Sequence, residues 1–152
     1  MKKSYTEEVG KIPKAKIAVL QAQWHSEHTD KIVEKYIELL QEAEAKAIDI
    51  HRVPGSYELP FAAKQLARLE RYDAIAVFGA IVKGETDHYQ VILETCIREL
   101  GKVMYDFEVP IIMELLPVHR VEDLIARCTG EHNKGIEAAQ ATVEIIQWRR
   151  SL

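Results

Sequence analysis

The residues best able to do chemistry lie in one stretch, Phe78 to Tyr89, FGAIVKGETDHY. Gly84 allows a positive φ and lets backbone approach a ligand closely. Glu85 and Thr86 offer main-chain N–H groups where a helix begins, a place that favours anions. Thr86 or Asp87 fits an N-cap, and Gln90 stands three residues after Asp87 as in a capping box. His88 then falls in the first helical turn, beside the anion position. The plainer alternative is a capped surface helix with a solvated His, because a Gly before a capped helix is common. Three other places invite the same double view. Trp24 sits in a loop, where its indole suits either stacking on a flat heterocycle or covering the core edge. Ser56 and Glu58 open a turn whose N–H groups and carboxylate could hold a polyol or an amide edge; equally, Glu58 is a dipole-matched helix start. Arg127 reads by itself as a solvated Arg at a helix C-terminus, and Lys134 with Glu137 as a surface ion pair.

The elements that must position these residues follow from periodicity. Ala74-Ile75-Ala76-Val77-Phe78 is short, apolar and partly β-branched, as a strand buried on both faces requires. The pattern predicts strands at Ile17–Leu20, Ala47–Val53, Asp73–Ile81 and Val109–Leu116. It predicts helices from Asp30 onward, over Leu59–Leu69, Asp87–Phe107 and Val118–Cys128, and from Lys134 to Trp148. Pro54-Gly55-Ser56 is a turn, Pro60 is tolerated in the first turn of its helix, and Thr129–Asn133 is a loop. Alternating strands and helices imply four parallel strands with right-handed crossovers and helices on both faces. The carboxyl ends of the strands then share one edge, and ligands in open α/β sheets bind there. Trp24, Ser56, Glu58 and the Ala80–His88 stretch all fall at that edge.

At 152 residues the chain is one domain, expected over 15–152, with residues 1–14 an extended N-terminal arm. A net charge of −4 without a basic run argues against nucleic acid as a partner. The apolar stretches are strand-sized and no secretory signal is visible, so no membrane partner is expected. Cys96 and Cys128 lack metal-ligand spacing and read as reduced thiols of a cytoplasmic protein, with no metal site.

VPGSYELP (Val53–Pro60), GAIVKGETDHY (Gly79–Tyr89) and NKGIEAA (Asn133–Ala139), with Arg127 upstream, resemble the lumazine synthase family across residues 16–150. Order and separations match as well as letters. The resemblance implies a flavodoxin-like three-layer α/β/α sandwich. It also implies a transferase of riboflavin biosynthesis that needs no cofactor. That family joins 5-amino-6-(D-ribitylamino)uracil to 3,4-dihydroxy-2-butanone 4-phosphate by forming an imine, eliminating phosphate and closing a ring. Carried over, it makes His88 the catalytic acid/base. Phosphate falls to Gly84, Glu85, Thr86, Arg127 and Lys134. The pyrimidine and ribityl groups fall to Trp24, Ser56, Tyr57 and Glu58, to Ala80, Ile81 and Val82, and to Met113 from a neighbouring subunit. It further implies small-molecule substrates, a homopentamer or multiple of pentamers with sites at subunit interfaces, and riboflavin synthase as a candidate partner.

Three features depart from the commoner pattern, one being a Thr129–Asn133 loop about one residue shorter than in many shell-forming members. Met113 stands where the family usually has Phe, and Leu116-Pro117-Val118-His119-Arg120 replaces a Thr-rich loop. With Gln23-Trp24-His25, this resembles the family's second type, which forms smaller assemblies. The rival expectations are a lumazine- or flavin-binding protein, a shell-forming protein on the same fold, and the related archaeal riboflavin synthase.

Overall fold

The computed structural model describes residues 7–85 and 87–152. Four strands, β1 (Lys16–Ala22), β2 (Ala47–Val53), β3 (Ala74–Val82) and β4 (Ile111–Val118), form one parallel sheet in the order β2-β1-β3-β4. Leu20 stands opposite His51 on one side and Val77 on the other, and Val77 in turn opposite Met113. The chain returns through α1 (Ser26–Glu42), a 3-10 turn at Ser56–Glu58 with α2 (Leu59–Ala67), and α3 (Tyr89–Phe107). After β4 come α4 (Val121–Arg127), a second 3-10 turn (Gly130–His132) and α5 (Lys134–Arg150).

Side chains alternate across a strand, so β1 and β3 feed two cores. Val19, Ala76 and Phe78 pack with Ile32, Tyr36 and Val143 of α1 and α5. Leu20, Ile75 and Val77 pack with Leu59, Leu66 and Leu100 of α2 and α3. Every residue of β3 is buried, which is why its sequence is a continuous apolar run rather than an alternation. The result is the α/β/α sandwich that the alternation implies, in the flavodoxin-like form that the family resemblance implies.

Several boundaries differ from expectation. β4 starts at Ile111 rather than Val109, because Pro110 has no N–H for the ladder; its carbonyl accepts from Ile75 instead. β4 runs on through Pro117, tolerable on an edge strand, and the Val118 carbonyl accepts from the Lys83 N–H at 2.8 Å. α4 accordingly begins at Val121, not Val118. α1 begins at Ser26 rather than Asp30, in a polar stretch that lacks apolar periodicity. The first six residues lie outside the described part. Within the remainder of the expected arm, Ile12 is fully buried and bonds the Ala43 carbonyl at 2.8 Å, so the core takes in residues before 15.

The α1–α5 contact explains part of the NKG motif. Asn133 caps α5 by accepting from the Gly135 N–H at 2.7 Å. Its amide also donates to the Cys128 and Lys31 carbonyls, at 3.0 and 3.2 Å. Gly135 lies where α5 meets α1, and a Cβ there would collide with the Ile32 carbonyl oxygen. On the same side of the sheet Tyr36 packs edge-on against Phe78, centroids 5.1 Å apart. Its hydroxyl lies 2.7 Å from that of Thr142. Since the Thr142 hydroxyl donates to the Ala138 carbonyl, Tyr36 is the donor in that pair.

Candidate active site

The strand order reverses between β1 and β3, so the chain leaves their carboxyl ends in opposite directions and opens a crevice between them. A cavity of about 200 Å³ fills that crevice. The loop after β1 contributes Trp24 and His25, and the turn after β2 contributes Pro54 to Glu58. β3 supplies Ala80, Ile81 and Val82, followed by Glu85, and α3 closes the wall with Ile92. Most of the surface is therefore apolar, with a few polar groups aimed inward, as small-molecule sites usually are.

Local chemistry holds each wall. Trp24 is 66% exposed and Tyr57 65%, so neither ring is committed to the core. The Trp24 N–H bonds the Pro54 carbonyl at 3.3 Å, tying the first loop to the second. The Glu58 carboxylate accepts from the Gly55 N–H at 3.1 Å, shaping the turn. Ser56 is buried because Gly79 has no side chain: a Cβ on Gly79 would lie 3.1 Å from the Ser56 hydroxyl. The Cys96 thiol of α3 donates to the Ser56 carbonyl at 3.3 Å. Burial, and then the charge of Glu58, pushes that thiol up to about 11, so it stays protonated and structural.

At the end of β3, Gly84 has φ +93, the conformation its identity suggests. The Glu85 N–H turns back to the Val82 carbonyl at 3.3 Å, a long bond that an anion could displace. Thr86 lies outside the described residues. His88 does not fall within α3, as the sequence led us to expect; it is the N-cap itself, with φ −104 and ψ 16, and its carbonyl accepts from Ile92 at 2.8 Å. The Asp87–Gln90 capping box does not form, since Gln90 donates along the helix to Glu94 at 2.7 Å.

The expected site residues thus separate into groups. Trp24, Ser56, Tyr57, Glu58, Ala80–Val82 and Glu85 share the cavity. Arg127 ends α4, exposed, with Nη1 3.4 Å from the Pro117 carbonyl. Met113 lies in a groove between β4 and α5 with Glu114 and Glu137. Lys134 bonds Glu137 at 2.9 Å. Glu114, only 8% exposed, is pushed up to about 8 by burial and by the Glu137 charge, with Lys134 opposing. Sequence reasoning had not singled out His25, Pro54, Gly55 or Ile92. The first three adjoin chosen residues and so carried a positional signal, whereas Ile92 reads from sequence as plain helix core.

Fold and cavity together define a flavodoxin-like α/β protein with a cavity at the switch point of the sheet. A model of the family described as 6,7-dimethyl-8-ribityllumazine synthase matches residues 14–150. The 6,7-dimethyl-8-ribityllumazine synthase of Stenotrophomonas maltophilia (strain K279a) is 40% identical over 136 residues, 87% of this chain and 87% of its own. That of Xanthomonas oryzae pv. oryzae (strain PXO99A) is 36% identical over 137 residues, 88% of this chain and 89% of its own. The chain belongs to the 6,7-dimethyl-8-ribityllumazine synthase family.

Proposed function

We propose that the chain condenses 5-amino-6-(D-ribitylamino)uracil with 3,4-dihydroxy-2-butanone 4-phosphate to 6,7-dimethyl-8-ribityllumazine, releasing phosphate and water. The observation that carries this, within the family, is the cavity at the ends of β1, β2 and β3. There an exposed indole faces an apolar strand end and a polar turn, the surfaces that a flat pyrimidine with a polyol chain needs. Trp24 stacks on the pyrimidine, Ala80, Ile81 and Val82 lie along its edge, and Ser56, Tyr57 and Glu58 take the polar groups. The backbone of Gly84, Glu85 and Thr86, with Arg127 and Lys134, takes the phosphate, which is both anchor and leaving group. The amine attacks the ketone and water leaves as the imine forms. Phosphate is then eliminated, and the ribitylamino nitrogen attacks the remaining carbonyl carbon, closing the ring with loss of a second water. His88, beside that anion site, moves the protons. Holding two reactants in register accounts for much of the acceleration, because it replaces a bimolecular encounter.

Met113 lies in the β4–α5 groove rather than in the cavity. We therefore place the active site between copies, in a homopentamer or an assembly of pentamers. A neighbour brings Met113 to the pyrimidine and Lys134 toward the phosphate. Light scattering at assay concentration should find pentamers or multiples; active monomers would rule the shared site out. A cytoplasmic location suits two free, buried thiols, and riboflavin synthase is the candidate consumer of the product. The deciding experiment mixes the two substrates and follows lumazine absorbance against released phosphate, expected in equal amounts. Binding without turnover would make the chain a carrier. Riboflavin formed from lumazine alone would make it a riboflavin synthase.

A further inference from the structure

His25 is the cavity residue with an unusual backbone. Its φ of 65 and ψ of 20 lie in the left-handed region, uncommon for any residue but Gly. Lys14, Glu44, Glu70 and Glu108 share a positive φ, but Lys14 lies in the turn before β1 and the three glutamates follow helix C-termini, where that conformation is routine. His25 instead precedes a helix. It occupies the N-cap of α1, where Ser, Thr, Asp or Asn would bond the first turn, yet its side chain makes no such cap. The ring turns away from α1 and across the cavity mouth, where Nε2 lies 2.9 Å from the Glu85 carboxylate. With a carboxylate as acceptor, the imidazole N–H donates. The ring is 14% exposed and the carboxylate 45%, so solvent screens the pair and it adds little to stability. A strained backbone, a forgone cap and a weak ion pair are poorly explained by stability, and strain of this kind concentrates where geometry matters.

The bond joins the loop after β1, which carries Trp24, to the turn after β3. At its far end are Gly84, a residue with wide conformational freedom, and the Glu85 N–H with its long bond to Val82. Without a tie, that turn would have to be ordered each time an anion bound. We propose that His25 is a positioning residue: through Glu85 it holds the Gly84–Glu85 turn in the shape that receives the phosphate of the ketone substrate. The inference rests on the phosphate assignment made under Proposed function.

Two measurements test it. In steady-state assays His25→Gly, which keeps the left-handed backbone and removes the ring, should raise the KM of the phosphate ketone about 10-fold. The pyrimidine KM should change less than about 2-fold. A merely structural role would act through the adjacent Trp24 and raise the pyrimidine KM as much or more. Glu85→Ala should match His25→Gly, and the double variant should be no worse than either. Glu85→Gln, whose amide oxygen still accepts the imidazole N–H, should raise the KM of the phosphate ketone less than Glu85→Ala does. Additive defects, or a pyrimidine-led one, overturn the tie. Amide hydrogen exchange in the ligand-free protein needs no turnover. His25→Gly should speed exchange at Glu85 by about 10-fold but not at Lys83, which is bonded to Val118 across the sheet. Unchanged exchange at Glu85 overturns the tie, whereas a native protein that makes no lumazine overturns only the proposed reaction.

Discussion

Trp24 and Arg127 are both exposed, so their removal should leave the fold intact and be read in ligand binding alone. Trp24→Ala is expected to weaken affinity for a ribityl pyrimidine by about 1–3 kcal/mol, the range of a lost aromatic–base stack. Titration calorimetry measures it, and unchanged affinity would remove Trp24 from the site. His88 and Arg127 should fail differently. An arginine grips phosphate already in the ground state, so Arg127→Ala should chiefly raise the KM of the phosphate ketone. His88 matters only when protons move, so His88→Ala should bind substrate analogues normally and lose about 10²-fold in kcat. If kcat survives and only KM rises, His88 is a binding residue and the proton shuttle lies elsewhere. At this scale the sequence was informative about residue type and weak about side-chain direction. Glu85 was chosen for its backbone, yet its carboxylate also reaches His25 across the cavity mouth. That bond spans loops sixty residues apart, and no local pattern announces it.

Elements hold the cavity from behind. Gly135 permits the backbone of α5 to meet that of α1, and Asn133 stitches the same junction to α4. Gly135→Ala forces a methyl against the Ile32 carbonyl oxygen, an overpacking expected to cost about 1–3 kcal/mol. Thermal unfolding should show it as a fall of roughly 2–4 °C per kcal/mol for a domain of this size. An unchanged midpoint would mean the two helices separate without penalty. NKG was legible as a motif, and Asn133 as a helix start, because capping is local chemistry. The need for Gly135 was not legible, since it depends on a carbonyl a hundred residues away. The start of α3 shows the same limit. Asp87 and Gln90 have capping-box spacing, but Gln90 bonds Glu94 and the helix begins after His88.

In the molecule as a whole, a buried carboxyl makes stability depend on pH. Burial, then the charge of Glu137, raises the carboxyl of Glu114 from its ordinary 4.5 to about 8. Between those values the folded state keeps a proton that the unfolded chain releases. The stabilisation is therefore complete below about pH 4.5, declines as pH rises, and is gone above about pH 8. The slope is at most about 1.4 kcal/mol per pH unit. Glu114→Gln should flatten this dependence, and denaturant melts at pH 5, 6.5 and 8 would reveal it. A slope equal to the native one would mean Glu114 ionises freely in the fold.

The sequence by itself determined the architecture and the neighbourhood of the site. A continuous apolar β3, amphipathic helices and punctuating turns admit little besides a doubly wound parallel sheet, and such a sheet collects its loops at one edge. Those signals are local, being written in periodicity and in the backbone preferences of Gly and Pro. Tertiary structure decided which loop side chains meet. It set Ser56 into the gap left by Gly79, turned His25 toward Glu85, and buried Glu114 beside Glu137. It also left Met113 in the β4–α5 groove, away from the cavity. Each of these depends on distances between segments far apart in the chain, and such distances exist only once the sheet has assembled.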